Sequence, residues 1–553
     1  MPQPPLRPDR GDDFPARRGD SIAGPALGTW LVGIVTLVCV IWPLGAVFWT
    51  TTAGVMAGDV SKGPPGTSLE PALSVNPAWG LLGSTCLWAL GIGLGSALLA
   101  WPAAWLIRGR GWGVIPLLLT PLLLPSYLAY NGYSTVRAAG TTVGSWLETL
   151  AQGPIPNAPS HAGKALAALG LMLWAWPIAA LVLGSAVRRI DEHVLETLRM
   201  DASGYRKSRE VWKLCRPGFY AAAAVVALVM LGSAIPLHLA QVPTYAVKVW
   251  FDLNLAPGSW RVWVSAWPLV AAALLGAWVL GGRILSAAVS HSETLPPPRS
   301  ASAGRWLATG AIWGLSVLVP LMLFVRTVKG WKPYADFWTL SSEAVLSSSG
   351  VALATGAVGV LLAASFWQGV SSANRGHTPI LLLWCLRALL VMGLLPGVLV
   401  GSAVSIACNT TPGLWSLGDS AWILVVVHVA RFGFVGALVG VWLAAIEPRA
   451  ERDLRALDGA LGVRGWMAAS LPLQGGALVG TGLATAALSL HEIEAAVVVQ
   501  PPGTPSLAQV MLNHLHQLRM QDVSAAAVSV VVVGLVLAAI AGWAGSRTLK
   551  QVG

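Results

Sequence analysis

The chain has 553 residues, of which 55% are hydrophobic and only 11% are charged. Soluble domains carry about 25% charged residues, so this composition excludes an ordinary soluble enzyme and indicates a polytopic membrane protein. The net charge of +11 is expected from basic loops on one membrane face and needs no nucleic-acid partner. The five cysteines stand far apart, which gives neither a disulfide framework nor a CxxC metal motif.

The chain begins with a proline- and arginine-rich stretch, and residues 1–26 are predicted to form a disordered cytoplasmic tail. The apolar run that follows is about 23 residues long, which exceeds the apolar core of a signal peptide. We therefore predict a retained first membrane span.

Apolar runs of about 20 residues predict membrane-spanning helices, because a helix of that length crosses roughly 30 Å of hydrocarbon. Twelve such spans are predicted, at 27–49, 80–107, 112–132, 165–187, 218–240, 261–282, 305–325, 344–367, 379–404, 419–446, 472–490 and 524–545. The sequence thus predicts an all-α membrane protein.

The placement of lysine and arginine predicts the orientation. With the N-terminus inside, and with the span-initial residues Arg261 and Arg305 counted with the segments before them, the inner segments hold 24 Lys and Arg residues, the outer segments hold 9, and 2 fall within spans. Basic residues favour the cytoplasmic side, so both termini are predicted to be cytoplasmic.

A serine- and proline-rich segment near the middle, residues 286–304, is predicted to be a linker. It divides the chain into two predicted halves of six spans, 27–285 and 305–553. The halves share an internal repeat, and each has one polar loop between two spans, at 188–217 and at 447–472.

The two loops match at a spacing of 257 residues. Residues 196–201 read ETLRMD and residues 453–458 read DLRALD, a small residue follows each, and a proline comes before the next long apolar run. Such a helix–turn–helix pattern is suited to dock in a groove of a soluble partner. The residues predicted to dock are Glu196, Arg199, Asp201, Ala202, Gly204, Asp453, Asp458, Gly459, Gly462 and Pro472. The alternative is an ordinary solvated loop.

At these loops the chain resembles the permease subunits of bacterial ABC importers. Those proteins carry a cytoplasmic motif, E-A-A-x-x-x-G, with Leu-Pro about a dozen residues later. DLRALDG and the later Leu-Pro match this spacing, with Asp453 in place of the glutamate. ETLRMDA has Ala202 in place of the glycine. The two-half arrangement resembles the fused permeases of the iron(III), thiamine and spermidine/putrescine group, which implies a type I importer fold.

The resemblance implies two copies of an ATPase subunit docked on the loops and an extracytoplasmic solute-binding protein that delivers the substrate. It also implies a multi-pass protein of the bacterial cytoplasmic (inner) membrane, and iron(III) as one candidate substrate. The sequence contains no G-x-x-x-x-G-K-[ST] loop, so ATP and Mg²⁺ are expected on the partner, with no cofactor in this chain.

Ionisable residues within membrane spans are costly and often mark a transport path. The candidates for such a path are His238, Arg387, His428, Arg431, His491 and Glu492. His428 and Arg431 stand three residues apart and are predicted to share a helix face, while His238 and His491 are predicted at near-equivalent positions of the halves. The alternative is hydrogen bonding between packed helices. His491 and Glu492 alone are too few ligands for a metal site.

Two other functions remain open at this stage. Secondary transporters also have internal repeats and charged residues near the membrane midplane, but they need no paired docking loops. A membrane-embedded enzyme would need a cluster of acidic or histidine residues in one outer loop, and the loop at 134–164 offers few of them. No catalytic set of residues is predicted.

Overall fold

The computed structural model describes residues 27–56, 75–110, 115–138, 140–201, 203–290, 302–372, 379–447, 452, 454, 457, 463–517 and 519–552. These residues form helices joined by short connections, with no strand among them. The predicted tail, most of the predicted linker and nearly half of the second polar loop lie outside the described residues.

The first segment, residues 27–290, contains fourteen α-helices among its described residues. They are α1 Leu27–Thr36, α2 Trp42–Met56, α3 Trp79–Leu99, α4 Trp101–Arg110, α5 Ile115–Leu119, α6 Ser126–Ser134, α7 Thr142–Ala151, α8 Ala158–Arg188, α9 Glu192–Asp201, α10 Gly204–Leu231, α11 Ile235–Leu239, α12 Tyr245–Leu255, α13 Trp260–Ser265 and α14 Trp267–Ser290. Helices α3, α8 and α10 pack on one another around a buried apolar cluster.

The second segment, residues 302–552, contains eleven α-helices among its described residues. They are α15 Ala303–Trp313, α16 Val319–Thr327, α17 Lys332–Ser371, α18 Ile380–Leu394, α19 Gly397–Thr410, α20 Trp415–Gly418, α21 Trp422–Ile446, α22 Val463–Leu490, α23 Ala496–Val499, α24 Leu507–His516 and α25 Met520–Val552. Helices α17, α21 and α22 pack on one another, as α3, α8 and α10 do in the first segment.

Within the described residues, eight helices are long and apolar enough to cross a bilayer, and ten are if two sharply bent pairs count as one span each. The chain is therefore a multi-pass helical membrane protein, and the described residues do not confirm the twelve predicted spans. The predicted third span, 112–132, is divided among α5, a 3₁₀ turn at Thr120–Leu123 and α6. The predicted last span, 524–545, lies within α25.

The first helix of each segment packs on the other segment. Helix α1 lies against α17 and α18, and α2 lies against α19, while α15 lies against α4 and α16 lies against α6. Val32 and Val40 are accordingly buried in the same apolar cluster as Leu362 and Phe366. This reciprocal exchange ties the two segments together by apolar packing on both sides.

In each segment, one π-helical turn connects the first two helices and lies just before a proline. Leu37–Ile41 precedes α2, whose second residue is Pro43, and Gly314–Leu318 precedes α16, whose second residue is Pro320. Proline lacks an N–H and its ring crowds the carbonyl one turn earlier, so a wider turn accommodates it without ending the helix. Both segments thus accommodate a proline near the start of a helix with a π-helical turn.

Glycine permits a close helix crossing in the second segment. A Cβ placed on Gly356 of α17 would lie 2.6 Å from the carbonyl oxygen of Gly482 on α22, well inside van der Waals contact. In the first segment, Gly93 of α3 crosses α10 at the carbonyl of Ala223 in the same manner. Small residues let helix backbones approach within a membrane, where lipid offers no hydrophobic driving force for association.

Candidate ion network and docking loops

A leucine–proline pair breaks one helix in each segment. Leu124 and Pro125 are extended, with ψ of 127° and 134°, and separate the 3₁₀ turn from α6. Leu395 and Pro396 are extended in the same way, with ψ of 148° and 136°, and separate α18 from α19. The second break bends the chain by 114°. Proline pushes the preceding residue out of the helical region, which explains both breaks.

Each break exposes a leucine carbonyl oxygen, and a side chain from a neighbouring helix donates to it. Trp174 Nε1 on α8 donates to the oxygen of Leu124 over 2.8 Å. Arg431 on α21 donates from Nη1 to the oxygen of Leu395. Trp174 and Arg431 are separated by the 257 residues that also separate the polar loops. An unpaired carbonyl in hydrocarbon is costly, so both breaks depend on these donors.

Arg431 also faces two carboxylates that follow α22. Its Nε lies 3.8 Å from Glu492 Oε2, and its Nη2 lies 3.7 Å from Glu494 Oε2. All three side chains are largely buried. We name Arg431, Glu492 and Glu494 the ion network. A buried guanidinium without a carboxylate would be strongly unfavourable, so the pairing is required for burial.

The other oxygens of the two carboxylates bind backbone N–H groups at two different helix starts. Glu492 Oε1 accepts from Ala495 N over 2.8 Å, directly before α23. Glu494 Oε1 accepts from Ala234 N over 2.8 Å and from Ile235 N over 3.2 Å, at the start of α11 in the first segment. The ion network therefore contacts three places where a helix begins or ends, and one of them belongs to the other segment.

Glycine at position 397 makes room for the network. A Cβ on Gly397 would lie 2.6 Å from Glu494 Cβ and 2.9 Å from Glu492 Oε1. Contacts this short do not occur between real side chains, so any larger residue would displace the carboxylates. The first residue of α19 is thus fixed by the ion network rather than by helix propensity.

His428 and His491 lie beside the ion network. His428 Nδ1 is 2.7 Å from Ser489 Oγ on α22, so His428 and Arg431 share a helix face and both contact the segment around residue 490. Both ring nitrogens of His491 are buried without a hydrogen bond within the described structure. Within the described residues, no three His, Cys, Asp or Glu side chains are placed to hold a metal ion.

His238 occupies a different position from His491. It lies within α11, while His491 directly follows α22, so the two histidines are not structurally equivalent. The ring of His238 lies 5.7 Å from the rings of Trp250 and Phe251 and 6.5 Å from that of His516 in the second segment. His238 therefore lies in an aromatic contact between the segments.

Arg387 is not brought together with the other candidates of the predicted path. Its guanidinium lies 3.7 Å from the ring centroid of Trp278 on α14 and 5.3 Å from that of Trp384. Both rings are 53% exposed, so this contact faces outward from the helix bundle. Cation–π contact between α14 and α18 accounts for this arginine.

The first polar loop is formed by α9 and the start of α10. Glu196 lies in α9, and its Oε2 is 3.9 Å from His193 Nδ1. The backbone of Arg199 also belongs to α9, and Asp201 is the last residue of this helix. The turn glycine is Gly204, whose φ of +53° disfavours other residues, whereas Ala202, predicted at the turn, lies outside the described residues.

The sequence predicts that the proline of each polar loop comes just before the next membrane helix. In the structure neither proline begins a helix. Pro217 lies well inside α10, and Pro472 lies where the two parts of α22 meet at 84°. Asp453, Asp458, Gly459 and Gly462 lie outside the described residues.

Each polar loop is tied at its start to the end of a neighbouring helix. Arg108 of α4 contacts Glu192 of α9 over 2.9 Å and donates to the oxygen of Ile190 over 2.8 Å. Glu447, just beyond α21, accepts from Ser371 Oγ over 2.6 Å at the end of α17. Arg452 adds an ion pair to Glu447 over 3.5 Å. Sequence reasoning missed these anchors because their residues lie far apart in the chain.

Both polar loops expose large apolar side chains. Met200 and Tyr205 of the first loop are 79% and 83% exposed, and Leu457 of the second is 83% exposed. Apolar side chains on a polar, anchored loop are typical of a surface that binds a partner. Comparison of the chain with models of known protein families, with curated proteins and with solved structures gave no match.

Proposed function

We propose that the chain is the permease subunit of an ATP-driven importer of the ABC type, in a bacterial cytoplasmic membrane with both termini in the cytoplasm. The observation that carries this proposal is the pair of polar loops, each anchored by a carboxylate and each exposing apolar side chains. A transporter that needs no soluble partner has no use for two such loops.

In this proposal one ATPase subunit docks on each loop, and ATP and Mg²⁺ bind to those subunits. Closure of the two ATPases draws the loops together and rocks the two segments. Because α1 packs on the second segment and α15 packs on the first, movement of one segment is transmitted to the other. A binding protein delivers a small solute to the opposite face, and iron(III) is the substrate that the family resemblance implies.

The docking residues are tested by charge reversal. Replacing Glu196, Asp201, Asp453 and Asp458 with lysine is expected to abolish co-purification with an ATPase subunit and ATP-dependent uptake. Glu343→Lys is the matched control, because Glu343 is an exposed carboxylate toward the other end of α17 from the anchor residue Ser371. Unchanged binding and uptake in the fourfold variant would refute the docking role.

A second candidate is an ion-coupled secondary transporter. Helices broken beside a buried ion network are typical of such proteins, which bind substrate and ions at discontinuous helices. The two candidates differ in their energy source. Uptake into proteoliposomes that follows an imposed proton or sodium gradient without ATP favours the second candidate, whereas uptake that needs ATP and the ATPase favours the first.

A further inference from the structure

The two carboxylates of the ion network act on different segments of the chain. Glu492 binds Ala495 N, three residues further along its own segment. Glu494 binds Ala234 and Ile235 of the first segment, about 260 residues away. Both carboxylates face the same guanidinium at nearly the same distance. Glu492 and Glu494 are therefore placed alike with respect to Arg431, and they differ in the segment whose backbone they bind.

The first segment has no carboxylate of its own at this turn. Residues 232–234, between α10 and α11, read Gly-Ser-Ala. In the second segment the corresponding turn, between α22 and α23, contains both Glu492 and Glu494. The free N–H groups at the start of α11 are therefore satisfied by the other segment, which makes the order of this turn depend on contact between the segments.

We propose that Glu494, held in place by Arg431, is a latch that binds the start of α11 and holds the two segments together when the path between them is closed, and that Glu494 leaves α11 when the path opens. The proposal rests on the proposed function only in taking the path to run between the segments. It would hold equally for an ATP-driven or an ion-coupled transporter.

Two carboxylates for one guanidinium make such a latch reversible. When Glu494 moves away, Arg431 keeps Glu492 as a counter-ion and Leu395 as an acceptor. The guanidinium is therefore never left buried without a partner, which is the costly state for a buried ion pair. An arginine with Glu494 as its single counter-ion would lack this property.

The latch is tested by crosslinking between the segments. His238 and His516 lie 6.5 Å apart between ring centroids, and His238 is on α11, three residues beyond Ile235. Both are changed to cysteine in a full-length chain whose five native cysteines are replaced, and the chain is placed in lipid nanodiscs. The rate of reaction with a short bifunctional thiol reagent then reports how often α11 lies against α24.

Glu494→Ala removes the acceptor of the Ala234 and Ile235 N–H groups and is expected to lower the crosslinking rate roughly tenfold, in the usual range of coupling between sites. Glu492→Ala is the control, because the hydrogen bond of Glu492 stays within the second segment, and it is expected to change the rate less than about twofold. Equal effects of the two variants, or no effect of Glu494→Ala, would overturn the latch.

A steric variant keeps the test decisive if Glu494→Ala does not fold. Gly397→Ala leaves every charge in place but puts a methyl group 2.6 Å from Glu494 Cβ and 2.9 Å from Glu492 Oε1, so Glu494 is displaced and the same loss of crosslinking is expected. Gly475→Ala is its control, because a Cβ there meets no atom within 4 Å. Folding of each variant is checked by gel filtration. Crosslinking needs no ATP and no partner, so failure of ATPase docking would leave this result unchanged.

Discussion

The hydrogen bond between Glu447 and Ser371 is expected to contribute measurably to the free energy of unfolding. The Glu447 side chain is only 5% exposed, and its carboxylate accepts the Ser371 hydroxyl at 2.6 Å, where α17 ends beside α21. We predict that Glu447→Ala and Ser371→Ala each destabilise the protein, and that the double variant loses less than the sum of the two. The difference is the coupling energy of the pair.

The expected coupling follows from burial and charge. Hydrogen bonds to charged groups contribute about 1.5–3 kcal/mol in soluble proteins. Hydrogen bonds between membrane helices average about 0.6 kcal/mol in double-mutant cycles and reach about 1.7 kcal/mol. Glu447 is buried, but its second partner Arg452 is 32% exposed and shares the charge with solvent. We therefore expect a coupling of about 1.5 kcal/mol, near the upper end of the membrane range.

The assay is reversible unfolding in mixed micelles with increasing dodecyl sulfate, followed by circular dichroism. The four proteins of the cycle are compared at one lipid composition. The control cycle uses Glu210 and Lys213, which are 2.7 Å apart but substantially exposed on α10. Water screens that pair, so its coupling is expected to lie within experimental error. A Glu447–Ser371 coupling no larger than that of the control would refute the reasoning.

Three further outcomes are expected from the same structure. Arg108→Lys should fail to rescue the loss of ATPase binding caused by Arg108→Ala, because a single ammonium lacks the planar fork with which Arg108 donates to the carbonyl oxygens of Val187 and Ile190 and pairs with Glu192. Equal binding by the lysine variant and the parent protein would contradict this role. Gly356→Ala should destabilise the protein by at least about 1 kcal/mol through overpacking, whereas Gly350→Ala on the same helix, where a Cβ meets nothing, should be neutral or stabilising. Single cysteines at Met200 and Leu457 should react with a membrane-impermeant maleimide in inside-out vesicles and not in right-side-out vesicles, and labelling from opposite sides would contradict the predicted orientation.

The class of the fold could be predicted because hydrophobicity over long windows is a strong signal. The long apolar runs gave a multi-pass helical protein, and the structure agrees. The predicted number of twelve continuous spans is not confirmed, because Leu124–Pro125 and Leu395–Pro396 interrupt helices within runs that remain apolar throughout. Hydropathy does not register a break of backbone direction when the residues on both sides are equally apolar.

The ion network could be predicted only in part. Arg431 and Glu492 were candidates because charge inside an apolar run is conspicuous. Leu395, which accepts from Arg431, and Ala234, which donates to Glu494, carry no such signal, since a backbone group becomes a partner only through the fold. The repeated Leu-Pro pair, with Trp174 and Arg431 at the repeat spacing, was the one available sign. Arg387 shows the opposite case, because its charge faces two tryptophan rings instead of a path.

The central claim is that two ATPase subunits dock on this chain, one on each polar loop. The most direct measurement is the mass of the intact complex purified from native membranes by native mass spectrometry. The account predicts two ATP-hydrolysing subunits for each copy of this chain, both lost when Glu196, Asp201, Asp453 and Asp458 are changed to lysine. A chain that carries no ATPase, and whose transport follows an ion gradient without ATP, would contradict it.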